Sequence, residues 1–128
     1  MSNEATETLF RPVGQKELEL IEQSGWSRFP PRLSWQPIFY PVLNEEYAIK
    51  IARDWNTKDP NSGHVGYVLR FSVHGEYIAR FEPQVVGDRE CVEYWIPAED
   101  LDEFNDNIVG RIEVIHEFRP PEGSGEDQ

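Results

Sequence analysis

The sequence is poor in the residues from which common sites are built. One cysteine, Cys91, stands alone among 128 residues, which excludes an internal disulfide and leaves no Cys-x-x-Cys pair to begin a zinc site. The three histidines, His64, His74 and His116, are far apart and none falls in a His-x-x-Glu-His spacing, so no metal centre is expected. Glycine is present, but not as a Gly-x-Gly-x-x-Gly cradle, a Walker loop or a Gly-x-Ser-x-Gly elbow, which removes the common phosphate-binding and serine-nucleophile signatures. No apolar run approaches the ~18 residues of a spanning helix, and the first ten residues carry acids where a secretory leader would be basic. A soluble protein of a reducing cytoplasm is the expectation. Basic charge is scarce as well: 12 Lys+Arg face 24 Asp+Glu, for a net charge of -12. With no basic cluster visible along the chain, nucleic acid and anionic membrane surfaces are disfavoured as partners, and a basic protein is one partner that the acidity would suit.

What is present is large apolar side chains: 4 Trp, 5 Tyr and 7 Phe. A chain of this length folds as one domain and buries roughly two-thirds of its unfolded surface. Residues 1–7 and 120–128 are polar and acidic and read as tails, with one globular domain over 8–119. Glu4, Glu7, Glu122, Glu126 and Asp127 in those ends carry five of the negative charges.

Within the domain, TLFRPV from Thr8 to Val13 reads as a strand, with Pro12 marking an end or an edge. Lys16 to Ser24 reads as an amphipathic helix stopped by Gly25. The proline-rich stretch that follows reads as a loop whose Trp26, Phe29 and Trp35 dock onto the core. A short strand from Ile38 to Tyr40 leads to Asn44, a helix cap, and to a second helix with Ala48, Ile51, Ala52 and Trp55 along one stripe. Val65, Tyr67, Leu69, Phe71 and Val73 alternate as the best-marked strand. From Gly75 to Gly87 the pattern admits either a short helix followed by a strand or one interrupted strand. CVEYWI reads as a strand, PAEDLDEF as a helical turn, and RIEVIHEF as a last strand with Ile112, Val114, His116 and Phe118 on one face. Five or six short strands with two early helices make an α+β protein rather than an alternating βαβ one.

Two polar residues project from otherwise apolar strands, Arg11 in LFRPVG and Glu93 in CVEYWIP. A carboxylate so flanked either faces solvent or sits in a cleft where a partner tunes it, and an arginine suits a bidentate grip on phosphate or carboxylate. The phrases LFRPVGQKELELIEQSGW, FPPRLSWQPIFYPVLNEEYAIKIARDWN and EYWIPAEDLDEFN resemble short bacterial proteins labelled as ADP-ribosylation or crystallin-J-like. More broadly, the order of elements resembles the compact ADP-ribosyltransferase fold, with mixed and antiparallel sheets.

That resemblance implies NAD as a substrate. Arg11 would hold an NAD phosphate or ribose, Tyr40 would stack on the nicotinamide, and Glu93 would be the catalytic carboxylate that stabilises charge on the ribose as nicotinamide leaves. Glu90 and Glu99 are the neighbouring alternatives to Glu93. Phe39-Tyr40-Pro41 stands where arginine-modifying members carry Ser-Thr-Ser, and Cys91 stands where they carry Gln or Glu, so the acceptor is not specified. Two functions follow as expectations: an NAD-dependent ADP-ribosyltransferase acting on an unidentified acceptor, or a non-catalytic acidic binding or immunity-type protein on the same scaffold.

Overall fold

A computed structural model describes residues 5–87, 89 and 91–120. The expectation of tails over 1–4 and 121–128 therefore lies outside the described residues. The first strand, β1, spans Thr6–Val13, so Thr6 and Glu7 belong to the sheet and not to a tail. It is followed by α1 (Gln15–Gln23), β2 (Ile38–Phe39), α2 (Glu45–Asp54), two 3-10 turns, β3 (Gly66–His74), α3 (Gly75–Ile78), β4 (Gln84–Val85), β5 (Val92–Glu93), β6 (Ile96–Pro97), a third 3-10 turn, α4 (Leu101–Asp106) and β7 (Ile108–Phe118). The open stretch after Gly75 thus resolves as a short helix and then a strand. The protein is α+β, with antiparallel strand pairs throughout the described residues.

β3 runs between β1 and β7, with one face buried along its length and the other buried only at its start, before the exposed Arg70. Leu69, Phe71 and Val73 enter the larger core with Leu9, Val13 and Ile112. Four phenylalanines fill its middle: Phe29 lies 5.0 Å from Phe39 and 4.9 Å from Phe71, and Phe39 lies 5.3 Å from Phe104. Tilted ring pairs of this kind contribute about 0.5–1.5 kcal/mol each beyond burial alone. On the other face Val68 packs with Val42 and with Ala48 and Ala52 of α2. Asn44 caps that helix as its position suggests, its Oδ1 accepting from the Glu46 amide at 2.8 Å.

Two aromatic expectations need correction. Trp35 and Trp55 are 73% and 70% exposed, because the proline loop turns Trp35 outward and α2 ends at Asp54, one residue before the stripe reaches Trp55. The single apolar face drawn for β7 is also broken. Its ladder with β3 shifts between Val68 and Leu69 and between Arg70 and Ser72, so Ile112 meets the larger core while Ile115 and Phe118 lie against the smaller one.

The approach of α2 to the sheet depends on Gly66. A Cβ there would sit 2.8 Å from the Ala52 carbonyl carbon and 2.9 Å from its Cα, which only a shift of the helix could relieve. Gly66→Ala is expected to lower stability by about 1–3 kcal/mol through overpacking, read as the change in urea midpoint. A midpoint equal to wild type would show that α2 is not pressed onto β3 at this point.

Candidate functional site

Strand alternation decides where the two singled-out residues go. The Phe10 amide donates to the Val42 carbonyl and the Val42 amide to the Phe10 carbonyl, both at 2.8 Å, and Val42 in turn bridges to Glu93. Residues directly opposite one another on antiparallel strands point to the same face, and successive residues point to opposite faces. Phe10, Val42 and Glu93 therefore share the α2 face, and Arg11 points to the other. Tyr94, next after Glu93, is the residue on Arg11's side: it enters the larger core and its hydroxyl donates to Glu7.

Arg11 is 8% exposed and engaged at each of its three nitrogens. Its Nε and Nη2 donate to the two carboxylate oxygens of Glu17 on α1 at 2.7 and 3.0 Å, its Nη1 donates to the Tyr40 carbonyl at 3.3 Å, and its guanidinium lies 4.5 Å from the centre of the Phe39 ring. A buried cation needs this kind of compensation, because desolvation otherwise opposes the charge. Tyr40 offers its backbone carbonyl here, while its side chain is exposed. Glu93 is buried elsewhere, with Tyr47 Oη donating to one oxygen and Trp95 Nε1 to the other, each at 2.9 Å. The set of Arg11, Tyr40 and Glu93 is thus not gathered in one cleft. Of the alternatives to Glu93, Glu99 is exposed on a 3-10 turn, and Glu90 lies outside the described residues.

Arg11 does border a cleft, of about 620 Å³, enclosed by the start of α1, the proline loop and the 3-10 turns after α2. Its charged wall residues are Arg11, Lys16 and Arg32 against Glu17 and Asp59. The fold thereby assembles a locally basic surface that the sequence does not display. Arg32 is the residue that sequence reasoning missed. The loop carrying it is pinned at Phe29, whose amide donates to Asn105 Oδ1 at 2.9 Å and whose carbonyl accepts from Asn105 Nδ2 at 3.0 Å. Burial, and then the neighbouring Arg11 charge, pull the Arg32 guanidinium below its ordinary value, against a smaller upward pull from Glu17 and Tyr40. A signal existed: from Gln23 to Asn44 there is no Asp or Glu, in a chain with 24 of them.

Among the described residues no group of three or more His, Cys, Asp or Glu is arranged to hold a metal ion, and no helix is long and apolar enough to cross a membrane. No family model, curated protein or solved structure matches the chain.

Two outcomes follow from the buried polar groups. Arg11→Met is expected to destabilise by about 3 kcal/mol, the lower end for a broken buried pair because Glu17 keeps some solvent, and chemical denaturation measures it; no loss would mean the pair is not needed for folding. Burial first, and then Glu93 for Tyr47 and Glu7 for Tyr94, push both phenols up to about 12, as burial and nearby acids do for Tyr77. The unfolded chain releases these protons near 10.0, so stability is held below that pH and falls as pH rises through about 12. Tyr47→Phe should remove one proton from that alkaline slope, and an unchanged slope would contradict the assignment.

Proposed function

We propose that this chain acts as a binding protein on an ADP-ribosyltransferase-like scaffold, and not through catalysis by an Arg11–Glu93 pair. The observation that carries this reading is the placement of Arg11 and Glu93 on opposite faces of the sheet, set by the Phe10, Val42 and Glu93 pairings. Transfer of ADP-ribose requires a cation at the pyrophosphate and a carboxylate at the nicotinamide ribose of one NAD molecule. Side chains that leave a sheet in opposite directions do not meet that requirement. Both Glu93 oxygens are moreover held by Tyr47 and Trp95, which supports a structural part for this carboxylate. The net charge of -12 suits a basic protein as partner, and exposed Trp55 and Trp95 offer aromatic anchors for it.

NAD-dependent transfer of ADP-ribose to an unidentified acceptor is the second reading, favoured by the cleft of about 620 Å³ beside Arg11. Incubation with NAD separates the two. The binding reading expects no nicotinamide release above the buffer blank from wild type or from Glu93→Gln, and no ADP-ribose mass added to lysate proteins. Release by wild type that Glu93→Gln abolishes would overturn it in favour of the transferase. Retention of a basic protein at low salt that is lost at high salt is the positive counterpart, since screening weakens such contacts.

A further inference from the structure

Two unsatisfied polar atoms in one cleft carry an inference beyond the binding of a protein partner, and independent of it. Among the described residues, three buried side-chain nitrogen or oxygen atoms lack a hydrogen-bond partner: Arg32 Nε, Asn56 Oδ1 and Tyr77 Oη. The first two belong to residues that line the cleft bordered by Arg11. Buried polar groups are ordinarily paired, and each one left unpaired costs free energy. The atoms themselves are closed to solvent; an unpaired donor and an unpaired acceptor on two residues that line one cleft describe the complement of a ligand once those side chains turn into it.

We propose that this cleft is a binding site for a small phosphorylated, hydroxyl-bearing molecule of the sugar-phosphate class, in which Arg32 grips the phosphoryl group and Asn56 Oδ1 accepts from a hydroxyl.

The donor half calls for an anion. Arg11 is already occupied by Glu17 and the Tyr40 carbonyl, so the free grip belongs to Arg32. Its guanidinium is half-buried, lies 5.8 Å from the centre of the Phe39 ring and is repelled by Arg11. An anion beside it would relieve both the missing acceptor and the like-charge contact. Lys16, which also lines the cleft, adds a point charge suited to phosphate, for which the arginine fork supplies the geometry. The acceptor half excludes a bare anion without a proton to give. Asn56 Nδ2 is committed to Ser62 Oγ at 2.9 Å, which leaves Oδ1 as the atom to be filled, and an alcohol group fills it.

Titration of the full chain with ribose 5-phosphate, and separately with sulfate, tests both halves by calorimetry, with Trp35 on the cleft rim as a fluorescence reporter. One saturable site for ribose 5-phosphate is expected. Arg32→Gln should weaken it at least about tenfold, the scale of one lost charge-assisted hydrogen bond, with Arg32→Lys in between. Arg53→Gln, exposed and paired with Asp54, should bind as wild type. Asn56→Ala should weaken ribose 5-phosphate and leave sulfate unchanged. The ligand-free Arg32→Gln protein should melt no lower than wild type, because the arginine it loses was unpaired, and this separates a binding effect from misfolding. Absence of saturable binding, or equal binding by wild type and Arg32→Gln, would overturn the proposal whatever the outcome with NAD; an equal effect of Asn56→Ala on both ligands would overturn the hydroxyl contact.

Discussion

β3 buries one face along its whole length and the start of the other, and most of the architecture answers to that burial. A strand flanked by β1 and β7, whose apolar residues run along one face and begin the other at Val68, must find a layer for each. The aromatic cluster of Phe29, Phe39, Phe71 and Phe104 provides one. α2 provides the other, laying Ala48 and Ala52 over Val68, and it comes this close because Gly66 presents no side chain to the Ala52 backbone. The sheet thus divides the protein into two chemically separate sides. β1 alternates like any strand, so neighbouring residues fall to different sides, and Arg11 and Glu93 are parted by the same geometry that builds the core.

The side that receives Arg11 then has to accommodate a buried cation. Glu17 from α1, the Tyr40 carbonyl and the face of Phe39 together surround it, and the first two commit each of its three nitrogens. Arg32 is in the reverse condition. It is held near Arg11 by a loop of prolines that Asn105 clamps at Phe29, with no carboxylate of its own among the described residues. A basic cleft in a protein of net charge -12 is consistent because formal charge is a sum over the whole surface, whereas the field a ligand meets is set by the few groups around it. The far side shows the complementary case, in which Glu93 is satisfied by two neutral donors, Tyr47 and Trp95, without a cation.

Much of the fold was legible in the sequence, for local reasons. The Asn44 cap, the stop at Gly25 and the alternation through Tyr67, Leu69 and Phe71 are written into neighbouring residues, and the elements appear where those patterns lie. Legibility failed where distant parts decide. Trp35 and Trp55 carry the apolar bulk of core residues, yet the proline loop around the first and the end of α2 before the second turn them outward. β7 reads as one clean face only until its ladder shifts against β3, which is a property of the pair and not of either strand. Arg11 was visible as a polar residue in an apolar strand; its partner Glu17 and its neighbour Arg32 were not, because no spacing rule links a strand, a helix and a proline loop.

By itself, then, the sequence determined the kinds of element, the acidity and the presence of two polar residues in otherwise apolar strands, since periodicity and composition act over a few residues at a time. The tertiary structure alone decided on which side of the sheet each of those residues lies, and that Arg32 and Asn56 border one opening with a donor and an acceptor unfilled. The physical reason is that a side chain's direction follows from the register of its strand against strands far away in sequence, and its solvation follows from whatever that register brings beside it.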